Sequence, residues 1–111
     1  MSTKVIMIPS KELNIIENGQ PTGKKVKAFV SIAGFVIENT PHKSPAEAYL
    51  SHSIREKLDA LTPEATELSL EDSEIEYLRN GTKRIFDQGS ATGSNWYYLL
   101  DAIQTAKDVK A

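Results

Sequence analysis

The chain has 111 residues, 40% of them hydrophobic and 25% charged, with a formal net charge of −2. That is the size of one domain with a core of its own, and neither figure is that of a disordered chain. It has no cysteine, which excludes a disulfide scaffold, a thiolate nucleophile and every cysteine-based metal site.

Charge and pattern divide at the Ser44–Pro45 step. Residues 1–43 carry six lysines against three glutamates, and residues 44–111 carry seven basic against twelve acidic residues, net charges of +3 and −5. The first part reads as strands and the second as helices. The expected fold is therefore α+β in a single domain, 1–111. A small antiparallel sheet or extended β-hairpin over 4–39 packs against about three helices at 45–61, 70–88 and 95–109, since a lone hairpin cannot hide its apolar face. The run Val5 to Ile8 before Pro9 is too short for a signal peptide. The longest mainly apolar stretch, Ala28 to Ile37, is about half of a membrane span. A cytoplasmic protein, or one held in an assembled particle, is expected.

Val5-Ile6-Met7-Ile8 is β-rich and stops at Pro9, which lacks a ladder donor. Leu13-Asn14-Ile15-Ile16 continues it or pairs with it. Asn18-Gly19 supplies residues suited to positive φ, and Gln20-Pro21-Thr22-Gly23 extends the turn beyond a two-residue loop. From Lys25 to Ile32 the side chains alternate, with Val26, Ala28, Val30 and Ile32 opposite Lys25, Lys27, Phe29 and Ser31. That period predicts a half-solvated strand, bent at Gly34 and resumed at Phe35-Val36-Ile37. Phe29 interrupts the polar face, so it is either covered by a helix or a protein-contact residue. Lys24, Lys25 and Lys27, with Lys43, offer a nucleic-acid contact. No arginine precedes Arg55, however, and base reading leans on arginine.

Ser44, Pro45 and Glu47 spell a helix start, with cap, first position and N3 acid in place. Ala46, Leu50, Ile54, Leu58 and Leu61 follow as one apolar stripe. Thr62-Pro63 ends this helix and offers the start of another turn. Ser69 is the predicted cap of the next helix. Glu71, Asp72, Glu74 and Glu76 crowd its start and Lys83 and Arg84 its end, the order that the helix dipole favours. Ile75, Leu78, Ile85 and Phe86 share its apolar face. Asn80-Gly81 falls inside it, at a cost of roughly 1 kcal/mol relative to alanine, and the apolar register argues for continuity. The acidic cluster lacks the convergent or dedicated-loop spacing of a Mg²⁺ or Ca²⁺ site.

Gln88 to Asn95 is a Gly/Ser joint without the Gly-Lys-Ser/Thr ending of a phosphate loop. Gly93, Ser94 and Asn95 could hold an anion on backbone amides at the start of the last helix. In that helix Trp96, Leu99, Leu100, Ile103 and Ala106 form a compact face, which Tyr98, Ala102 and Val109 widen to about half the circumference. Core packing accounts for Trp96 and Leu100. Tyr97 projects to the polar side with Asp101, Gln104 and Asp108, and tyrosine and tryptophan are favoured at interfaces.

His42 and His52 share no spacing with a hydroxyl and a carboxylate, nor a metal-ligand pattern. No catalytic residue, metal or cofactor is assigned. The expected function is a non-catalytic protein–protein interaction or assembly subunit, a homo-oligomer or part of a larger complex. A virion component or a bacterial adaptor would fit, with Trp96, Tyr97, Tyr98 and Phe29 at the interface. The alternative is a nucleic-acid-binding module that uses the lysine-bearing hairpin.

Overall fold

Asn18 and Gly19 both adopt positive φ, 51° and 77°, the backbone of a two-residue turn whose twist matches that of paired strands. They join β2 (Glu12–Glu17) to β3 (Gln20–Lys27), with Glu17 opposite Gln20. The loop is thus shorter than the sequence suggests, because Gln20 and Pro21 already belong to the strand. The register shifts between Asn14 and Ile16, and the Thr22 hydroxyl donates to the Ile15 carbonyl there at 2.8 Å. A computed structural model describes residues 3–62 and 64–108.

β1 (Thr3–Met7) does not pair with the hairpin. It lies antiparallel to β4 (Glu67–Glu71), with Ile6 opposite Leu68, and on its other side takes the two-residue β5 (Lys107–Asp108). The sheet order is β4-β1-β5, separate from β2-β3. Ser69, the expected helix cap, is an exposed strand residue between the buried Leu68 and Leu70. The alternation of those two leucines is what a one-sided strand requires.

The expected strand from Lys25 to Ile32 is the main correction. β3 stops at Lys27, and Ala28–Asn39 is a helix, α1, which takes in the segment read as a resumed strand. Its β-branched residues favour a strand by local propensity, but helical winding puts Phe29, Ala33, Val36 and Ile37 on one buried face. Burial outweighs a propensity difference of a few tenths of a kcal/mol per residue. The Ala28 N–H donates to the Lys11 carbonyl at 2.8 Å. At the other end the Asn39 amide and the Thr40 hydroxyl donate to the carbonyls of Phe35 and Val36 one turn back, side-chain bonds that hold the last turn. Gly34 is no strand bend. It lets the Arg55 guanidinium lie against α1, where a Cβ would stand 3.2 Å from Arg55 Nη2.

α2 (Pro45–Asp59) starts as its sequence dictates, with Pro45 at the first position and Ser44 Oγ accepting from the Glu47 N–H. Ile54 and Leu58 are buried along its stripe, while Ala46 is exposed. α3 (Asp72–Asp87) runs unbroken through Asn80-Gly81. α4 (Trp96–Gln104) is shorter than expected, and the chain beyond it returns as β5. The Thr105 hydroxyl donates to the Asp101 carbonyl at this end. Pro63 and Val109, the latter expected on the last helix, lie outside the described residues.

α1 packs against α2, α3 and α4 and is the centre of the helical layer. One core joins it to the sheet, with Ile6, Phe29, Val36, Ile54, Leu70, Ile75, Leu78 and Leu99 essentially inaccessible. The fold is α+β, with four helices among the described residues, of which three follow the hairpin and α1. Among the described residues no helix is long and apolar enough to cross a membrane.

Candidate interaction surface

Two partly exposed phenylalanines from two helices meet one buried ring on a third. Phe35 of α1 and Phe86 of α3 each meet Trp96 of α4 edge to face, at centroid distances of 5.8 and 5.3 Å. This is the favoured geometry of aromatic pairs, since the positive edge of one ring meets the negative face of another. Phe35, Phe86 and Leu100 are 42%, 44% and 42% exposed, while Trp96 is 5%. Leu100 stands one turn beyond Trp96, where positions i and i+4 share a helix side.

The Gly/Ser joint places this tryptophan. Gly89 and Gly93 hold φ of 70° and 85°, a region costly for residues with a Cβ. The Ser90 N–H donates to the Ile85 carbonyl at 3.0 Å, closing the end of α3. The Trp96 indole N–H donates to the Thr92 carbonyl at 3.0 Å, so the ring is buried with its polar atom satisfied. Gly93 and Ser94 are exposed, and the Asn95 carbonyl accepts from the Tyr98 N–H. Asn95 precedes α4 without capping it through its side chain.

Of the expected interface residues, Phe29 is fully buried in the core and Trp96 is nearly so. Neither offers an open contact face. Phe29 went into the core because α1 is a helix and its position lies on the inner side. Tyr97 is 62% exposed and packs edge to face on the half-buried Tyr98. Leu100, assigned to the core by the wheel, is on its rim. Phe35 and Phe86 were missed as surface residues. Their signal was adjacency, since Phe35 precedes the buried Val36 and Ile37 and Phe86 follows the buried Ile85, which puts each at the edge of its helix's buried face.

The lysines separate into two groups. Lys24 and Lys25 are exposed on the hairpin, and Lys27 lies opposite Glu12 across it. Lys43 follows the far end of α1, a helix of 12 residues and therefore about 18 Å long. The hairpin and Lys43 do not form one basic track.

The most deeply buried charge is structural in its contacts. Glu74, 1% exposed, accepts from the Lys57 ammonium, the Glu71 N–H and the Ser53 hydroxyl. Burial alone would raise its pKa, but the hydrogen bonds from Lys57, Glu71 and Ser53 and the Lys57 charge together hold it below the ordinary value. His52 pairs with Glu56 on the exposed side of α2. Among the described residues no group of three or more histidine or acidic side chains is placed to hold a metal ion. Comparison with known protein families, with curated proteins and with solved structures finds no match to this chain.

Proposed function

We propose that the protein is a non-catalytic binding or assembly subunit whose copies meet through the Phe35–Phe86–Leu100 surface. The observation that carries this reading is the packing of two partly exposed phenylalanines, from α1 and α3, on the buried Trp96 ring, with Leu100 one turn beyond it on α4. Isolated surface leucines or phenylalanines need no explanation, but an apolar cluster is the kind of patch that marks an interaction site, and aromatic residues are enriched at the cores of interfaces. The formal charges of +3 and −5 on residues 1–43 and 44–111 support the same reading, since opposed charges steer and orient encounter between copies.

Mass in solution tests it. Light scattering after size exclusion should show a species heavier than 12.3 kDa that dissociates on dilution. Phe35→Ser and Phe86→Ser should each weaken association at least tenfold while the circular dichroism spectrum is kept. A strict monomer at high concentration would overturn the proposal, and salt-sensitive oligonucleotide binding by that monomer would favour the hairpin alternative.

A further inference from the structure

On a different face, α3 and the chain leaving α1 enclose a cleft of about 470 Å³, within the size range of small-molecule sites. Lys43, Glu47, Tyr77, Lys83 and Arg84 line it, with Thr40 at the end of α1. Tyr77, Gly81, Arg84 and Gln88 recur at helical spacing, so one side of α3 forms the wall.

The charges in this cleft are unevenly committed. Asp87 is paired with Lys83 at 2.7 Å. Glu47 accepts the Lys43 backbone N–H at 2.9 Å, so it serves the start of α2. Both carboxylates at the cleft are therefore engaged. The Arg84 guanidinium, on a half-buried residue, and the Lys43 ammonium have no hydrogen-bond or ion-pair partner among the described residues. A partly desolvated guanidinium is unfavourable alone, and its planar fork matches the two oxygens of a carboxylate or phosphate. Tyr77 also lines the cleft, its buried hydroxyl next to the Ser51 side chain.

We propose that this cleft binds a small molecule carrying a phosphate or carboxylate group, held by Arg84 and Lys43. The charge is concentrated in a concave site at the end of α1, and the hairpin lysines lie before its start. That arrangement fits a compact anion and not a polynucleotide, whose backbone needs cations spread along a track.

Amide NMR titrations with inorganic phosphate, pyrophosphate and citrate, at low ionic strength, test the site directly. At least one probe should give saturable shifts confined to Lys43, Asn80, Gly81 and Gln88. Arg84→Gln should reduce that affinity at least tenfold, Arg84→Lys less, and Lys43→Gln measurably. Lys24→Gln, on the hairpin, should leave it unchanged. Saturation by pyrophosphate or phosphate but not citrate assigns a phosphoryl ligand, and the reverse a carboxylate; either supports the site. Shifts that never saturate, or that survive unchanged in both Arg84→Gln and Lys43→Gln, overturn it. So does an oligonucleotide that binds with a footprint on Lys24 and Lys25 while the three anions do not compete.

Discussion

Gly81 of α3 lies against Thr40 at the end of α1 so closely that a Cβ on Gly81 would stand 2.7 Å from Thr40 Oγ1 and 2.9 Å from Val36 Cγ1. Neither neighbour has a long side chain that could swing aside, and Thr40 Oγ1 is held by its 2.7 Å bond to the Val36 carbonyl. The glycine therefore sets the separation of two helices. In an open helix Gly81→Ala would stabilise by roughly 1 kcal/mol through propensity. Here we expect a loss of about 1–3 kcal/mol from overpacking, read as a lower urea midpoint at unchanged slope. In a Thr40→Ala background the loss should shrink, because one of the two clashes is gone and the sites are coupled. A stabilised Gly81→Ala variant would show that the helices separate freely.

Glu74 gives the fold an acid-sensitive joint between α2 and α3. Its folded pKa lies below the ordinary 4.5, so the unfolded chain binds this proton more readily than the folded one. Its stabilising contribution is fully present above about pH 4.5, and is lost as pH falls from there through the lowered folded pKa. Unfolding free energies of the native protein and Glu74→Gln, measured from pH 7 to pH 3, should converge on acidification as the native carboxylate loses its advantage. Lys57→Met should cost about 1–3 kcal/mol at pH 7, chiefly by leaving the buried carboxylate one donor short. Parallel pH curves for native and Glu74→Gln would rule out this residue as the source.

Much of the helical half is legible because its signals are local. Ser44, Pro45 and Glu47 carry their own start, and the stripe through Ile54 and Leu58 needs only the period of a helix. Continuity of α3 through Asn80-Gly81 follows from the same period. The reason for the glycine is not legible, since it lies in Thr40 and Val36, distant in sequence. α1 is ambiguous in the sequence because Val26, Ala28, Val30 and Ile32 satisfy a strand period while Phe29, Ala33, Val36 and Ile37 satisfy a helical one. Packing against three other helices decides between the two, and a single segment does not display its neighbours. The β1–β4 pairing joins strands some sixty residues apart in the chain, which no local pattern encodes. At the surface, Trp96 was recognisable as important, but whether a wide apolar face is buried or open depends on what covers it. The cleft cations were visible only singly, Lys43 as part of a supposed basic hairpin and Lys83 and Arg84 as dipole partners.

Leu99 and Leu100 are neighbours in α4 with opposite environments, 0% and 42% exposed, and they separate folding from association within one helical turn. Leu99→Ala removes methyl groups from the centre of the core and should cost about 2–5 kcal/mol. Leu100 keeps much of its surface in water whether the monomer is folded or not, so it has less to lose. We expect Leu100→Ala to cost under about 1.5 kcal/mol of stability, since partial burial yields only part of the transfer free energy. Its larger effect should fall on the Phe35–Phe86–Leu100 surface, as a weaker dimerisation constant in sedimentation equilibrium. The wheel reading, with Leu100 in the core, predicts instead that both variants lose stability alike. Tyr97→Ala serves as the companion measurement, because Tyr97 is more exposed still and touches Tyr98 rather than Trp96. Association weakened by Leu100→Ala but not by Tyr97→Ala would place the contact on the α1–α3–α4 junction. The opposite result would move it to the tyrosine side of α4.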